Sequence, residues 1–147
     1  MLFRSDSTTH AWRGLVARSG ASNNVDYGID MSTSTNFRTW VNSNQWETGV
    51  TIPTQQWFHV VFTYSYVWLW NGPRIIYLNG ASAANNTLYN VQASTNNSLK
   101  IGKNWDPSWL GMIDEVRISN TVRSADWIKL SYENQQASQT LITITAH

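Results

Sequence analysis

Trp57-Phe58-His59-Val60-Val61-Phe62-Thr63-Tyr64, followed by Ile75-Ile76-Tyr77-Leu78-Asn79-Gly80, is the stretch that decides the fold of this chain. Side chains of an extended strand alternate between faces, so Phe58, Val60, Phe62 and Tyr64 share one side and Trp57, His59, Val61 and Thr63 the other. A strand that is apolar on one side and aromatic-bearing on the other gains from covering both, which places it centrally in a packed sheet. Asn79-Gly80 ends the next apolar run with a dipeptide that readily takes the positive φ angles of a tight hairpin. The core is therefore antiparallel β.

Working outward, residues 2–4, 13–18, 27–31, 37–41, 46–52, 99–102 and 141–145 read as further short strands, separated by Ser, Thr, Asn and Gly clusters and interrupted at Pro53. Residues 81–97 are small and polar, a weak edge strand and loop. Residues 104–110 read as a loop because Asp106-Pro107 disfavours helix and lacks a ladder donor. Residues 111–119 alternate Met112, Asp114, Val116 and Ile118 against Ile113, Glu115, Arg117 and Ser119, giving a strand with one mostly apolar face. Ser124 caps one short helix to Glu133, with Asp126 in its first turn and Trp127, Leu130 and Ser131 facing the sandwich. Regular short strands with turn signals between them predict an all-β sandwich or jelly roll of two antiparallel sheets with one C-terminal helix.

The chain has 147 residues, the size of one domain, so residues 1–147 are expected to form one. Nine Trp are more than a core of this size holds with every indole N–H satisfied, so several are expected on a binding face. Trp12, Trp40 and Trp57 are assigned to the core, and Trp46 is left undecided. Ten Lys and Arg against nine Asp and Glu give a net charge of +1 with no two basic residues adjacent, which argues against nucleic acid and anionic membrane as partners. The absence of cysteine excludes disulfides, thiol catalysis and thiolate metal sites. No run approaches the roughly 20 apolar residues of a membrane span, and residues 1–6 do not read as a signal peptide.

Residues 57–64, 76–80, 99–102, 111–118 and 124–128, in that order and spacing, resemble the bacterial laminin-G-like, concanavalin A-like jelly-roll domains. The likeness covers 57–133 well and 12–41 more loosely. It implies a further strand or two before residues 2–4, leaving a sheet edge exposed unless another chain or residues 141–145 cover it. Such an edge is a route to dimerisation. It also implies a module of a larger exported protein, extracellular or at the cell surface. The loop after Tyr64, with Tyr66, Trp68 and Trp70, is more aromatic than the short turn usual in the family.

The same fold houses glycoside hydrolases, so catalysis must be argued from carboxylates. Hydrolysis needs two carboxyl groups about 5 to 9 Å apart. Glucanase members carry them as Glu-x-Asp-x-Glu on one strand, and nothing here matches; Asp114 and Glu115 are adjacent and point to opposite faces. Asp114 has two readings: a carboxylate held by backbone N–H groups, or a ligand of one structural calcium ion of the kind related sandwiches hold. His59 reads as a packed, hydrogen-bonded residue.

Trp68 and Trp70 share parity beside Asn71, while Trp105 and Trp109 bracket a Pro-containing loop with Asn104 and Asp106. Sugars offer flat C–H faces and a rim of hydroxyls, so a site for them needs exposed rings and amides or carboxylates. These seven residues are the expected site of a non-catalytic carbohydrate-binding module, the alternative for either Trp pair being that it packs beneath the loops as a satellite core. The rivals are a protein-binding adhesion or assembly module and, less favoured, a glycoside hydrolase.

Overall fold

In a computed structural model, residues 1–6, 12–20, 24–32, 36–52, 54–66, 72–89, 96–104, 108–136 and 138 are described. Their strands are β1 (Leu2–Ser5), β2 (Gly14–Ser19), β3 (Val25–Met31), β4 (Asn36–Val41), β5 (Asn44–Thr51), β6 (Trp57–Tyr64), β7 (Gly72–Leu78), β8 (Ala81–Leu88), β9 (Leu99–Ile101) and β10 (Gly111–Asp114), followed by helix α1 (Ala125–Glu133). They form two five-stranded antiparallel sheets, ordered β10-β1-β6-β7-β8 and β5-β4-β3-β2-β9. β6 is the middle strand of the first sheet, as its two-sided sequence requires. Asn79 and Gly80 both take positive φ and turn β7 into β8. Asn42 and Ser43 do the same between β4 and β5. The small, polar run after Gly80 is an eight-residue edge strand. The expected strand over residues 141–145 lies outside the described residues.

The core fills the space between the sheets around Phe3, which is fully buried. Its ring lies 5.5 Å from Phe37 of the second sheet, edge-on, and 5.8 Å from both Phe58 of the first sheet and Trp109. Ile29, Met31, Val60 and Ile76 complete this layer. Trp46 is half-buried against the same cluster, with the Arg74 guanidinium 5.3 Å from its ring.

Three expectations are corrected. The strand after Gly111 pairs only to Asp114, because Glu115 takes φ 51° and breaks the alternation. Ile113 and Val116 then pack on the core while Met112 is exposed, so the face expected to be apolar is split. Trp12 and Trp57 are exposed rather than core. Trp57 starts β6 on the same outer face as His59, and α1 covers only the latter, through Tyr132, whose ring lies 6.0 Å from the imidazole. On α1, Ser124 caps as expected, accepting from the Trp127 N–H at 3.2 Å, but the fully buried residue is Ile128 while Trp127 and Leu130 are exposed. Gly80 is where the helix presses closest: a Cβ there would meet Tyr132 Cδ1 at 3.0 Å.

Burial beneath α1, with lesser contributions from the Met1 amino group and Arg117, lowers the His59 pKa from 6.5 to about 4. The folded state thus holds a neutral imidazole that the unfolded chain protonates below 6.5. Stability is complete above that pH and falls as pH drops toward 4, by about 3 kcal/mol for this group. Urea unfolding between pH 7 and 4 should show that loss, and His59→Gln should have a flatter profile over the same range; identical profiles would exclude His59 as its source.

Candidate functional site

Alternation along β3 and β4 turns Ile29, Met31, Phe37 and Thr39 toward the core and Gly28, Asp30, Arg38 and Trp40 to the outer face of the second sheet. Yet Asp30, Arg38 and Trp40 are buried, because the chain returns across them. Gly102 N–H donates to Leu15 O, and Trp109 N–H donates to Gly102 O, closing residues 102–109 into a loop rooted on β2. Residue 14 must be glycine, since a Cβ there would overlap the Asn104 backbone.

Asp30 is the centre of this covered layer. Its carboxylate accepts from Arg38 Nε at 2.8 Å and Arg38 Nη2 at 2.7 Å, from Trp40 Nε1 at 3.0 Å, and from Asn104 Nδ2 at 2.8 Å. Burial pushes the carboxyl pKa up, and the Arg38, Asn104 and Trp40 donors pull it back. Four donors on two oxygens are the pattern of an ionised carboxylate, and the planar Arg fork satisfies it bidentately. Fully buried and held by these four bonds, Asp30 is a structural carboxylate and not a group that meets a ligand.

Arg38 carries a second function. Its guanidinium lies between two indoles, 4.6 Å from the Trp40 ring beneath and 4.5 Å from the Trp12 ring above. Trp12 is 51% exposed. Its backbone takes φ 66°, a left-handed conformation that costs a bulky residue roughly 1–2 kcal/mol, and is held there by its N–H to Met31 O at 2.8 Å. Strain spent on presenting a half-exposed ring marks a surface built to be met. Gln45 and Glu47, opposite Trp40 and Arg38 in the β4–β5 register, are exposed on the same face, and Arg13 ties the 102–109 loop down by donating to Ser108 O.

Of the seven residues expected to bind sugar, Trp68, Trp70, Asn71, Trp105 and Asp106 lie outside the described residues. Trp109 is corrected: its ring is 8% exposed, packs on Phe3 and donates from Nε1 to Arg4 O, so it has no free face to offer. Asn104 is fully buried and acts through Asp30 rather than on a ligand. The two aromatic loops are rooted at opposite ends of β6. Trp109 touches Arg4, the partner of Trp57, whereas Tyr64 and Gly72 bound the other loop, a separation of roughly 25 Å at about 3.3 Å per residue. Trp12, expected in the core, is the exposed ring at this site. Its place at the junction between a polar loop and Arg13-Gly14 was the available signal.

The Asp114 carboxylate is exposed and accepts from the Glu115 N–H at 2.7 Å. Among the described residues no three His, Asp or Glu side chains gather as a metal site, so no ligand set accompanies Asp114 there. No described helix is long and apolar enough to cross a membrane.

A family model described as the concanavalin A-like lectin/glucanases superfamily matches residues 2–129. Among solved structures, domain 4 of AbnA, a GH43 extracellular arabinanase from Geobacillus stearothermophilus, in complex with arabinotriose, matches with a TM-score of 0.64 and 22% identity. The match covers 87% of this chain and 62% of that one, and at this identity it is a likeness of fold. No curated protein matches the chain.

Removing Asp30 leaves the Arg38 charge buried beneath Trp12 without its counter-ion. Asp30→Ala should therefore cost about 3–5 kcal/mol in urea unfolding. An unchanged unfolding midpoint would mean that the layer does not hold the sheet face together.

Proposed function

Since the chain belongs to the concanavalin A-like lectin/glucanase superfamily, we propose that it is a module that binds a poly- or oligosaccharide without cleaving it, on the outer face of the second sheet. The observation that carries this reading is Trp12, an indole clamped flat on Arg38 with half its surface free. A fixed ring supplies the apolar platform that a sugar's C–H face needs, and Gln45 and Glu47 supply amide and carboxylate groups on the same side for the hydroxyl rim. Trp105 and Asp106, which follow Asn104 in the sequence, and Trp68, Trp70 and Asn71 are further proposed sugar contacts.

The module is read as a binder because Asp30, the carboxylate at the heart of this face, is fully buried and committed to Arg38, Trp40 and Asn104, out of reach of a sugar on the surface. The arabinotriose bound by a domain of like fold, taken from an extracellular enzyme, supports a pentose- or hexose-containing polymer as ligand and an exported parent protein.

Binding should be weak, with Kd on the order of millimolar to tens of micromolar, equivalent to about 4–6 kcal/mol. Trp12→Ala should weaken binding of soluble arabino- or gluco-oligosaccharides by roughly tenfold, as loss of about 1.4 kcal/mol of stacking implies. Its Tm should fall less than that of Asp30→Ala, since the ring is half exposed and Asp30 still pairs with Arg38. Titration calorimetry beside a thermal melt checks both. Unchanged affinity in Trp12→Ala would remove this face as the site, and release of reducing sugar by the wild type would remove the non-catalytic reading.

A further inference from the structure

The first sheet is incomplete in its middle. β1 lies between β6 and β10, pairing Leu2, Phe3 and Arg4 with His59, Phe58 and Trp57 on one side and with Asp114, Ile113 and Met112 on the other. Beyond Val60, whose N–H donates to Met1 O, the edge of β6 from Val61 to Tyr64 meets no strand on that side among the described residues. Residues 115–119 form no ladder either, and Val116 to Ser119 face Val61 to Tyr64 across one shared space.

That space is a groove of about 960 Å³. Val60 and Phe62 from β6, Val16 and Ile29 from the second sheet, and Val116 and Ile118 line its inner side. Its outer side is polar, with His59, Thr63, Ser131 and Gln135. His59 Nδ1 and Gln135 Oε1 are both buried without a hydrogen-bond partner. Two open backbone edges over an apolar floor call for an extended peptide, since each edge group needs a ladder partner.

We propose that the occupant is this chain's own segment Leu141-Ile142-Thr143-Ile144-Thr145, which lies outside the described residues. Its alternation fits the two sides: Ile142 and Ile144 match the apolar floor, and Thr143 and Thr145 carry hydroxyls to the side where His59 and Gln135 lack partners. Reach is not a constraint, because the chain leaves α1 at Gln135, already a wall of the groove, and five residues from Gln136 span up to roughly 17 Å. A strand here would join β6 to residues 115–119 and turn the first sheet into a continuous one.

The test is amide hydrogen exchange on the full chain. The groove-side amides between residues 61 and 64 and between 115 and 119 should be protected in the wild type. They should exchange on the order of tenfold faster or more in Ile142→Asp/Ile144→Asp while β3 and β4 keep their protection. If that variant loses protection everywhere, Ile144→Thr provides the same comparison at lower cost to the fold. Adding a synthetic peptide of residues 139–147 in trans should restore protection to either variant. Free exchange of these amides in the wild type would overturn the proposal, as would protection unchanged in both variants. Wild-type protection that falls on dilution would overturn it too, by assigning the strand to a second copy.

Discussion

A buried anion on the wrong side of a sheet is the constraint from which the rest follows. Asp30 points away from the core, so nothing in the sandwich interior shields it, and an ionised carboxylate without partners there would be expelled into water. Four donors from three residues on two segments converge to prevent this: Arg38 and Trp40 of β4, and Asn104. Recruiting Asn104 brings residues 102–104 over the sheet, and the bond from Trp109 N–H to Gly102 O holds Trp109 where it enters the core against Phe3. Recruiting Arg38 buries a cation that a second ring must cover, which is the place Trp12 takes. One polar group on the outer face thus organises a loop, a core residue and the exposed platform.

The Phe3 cluster and the Asp30 layer divide the labour between the two faces of the second sheet. Phe3 joins both sheets through Phe37 and Phe58 and derives its energy from the apolar area it removes from water. The Asp30 layer contributes less net energy, because desolvation of Arg38 and Asp30 offsets most of their attraction. Its value is positional: a bidentate fork and two stacked indoles allow one arrangement where an apolar patch would allow several.

Much of the fold was legible because it depends on period-two patterning and on local turn chemistry. β6 announces both of its faces, Asn79-Gly80 names its turn, and Ser124 names its cap. The site was less legible because burial of an indole depends on what covers it, a long-range fact. Trp57 and His59 share a face by parity, but α1 reaches only His59. Trp109 sits in an Asn- and Pro-containing loop that reads as exposed, yet the loop's closure turns it inward. A positive φ at Glu115 reverses the alternation of a strand whose residues carry no sign of it. The family resemblance, read from 57–133, extends to residues 2–129 in the family match.

β3 carries core and site residues in strict alternation, Ile29 and Met31 inward and Asp30 outward. Inserting or deleting a single residue in this strand would exchange the two sets, sending a carboxylate into the apolar interior and isoleucine onto the outer face. The outer face can therefore change by substitution within β3–β5 or by changes of loop length, but not by changes in strand length. The length of β3 should drift least of any segment on this face, while the loops at its ends are free to vary.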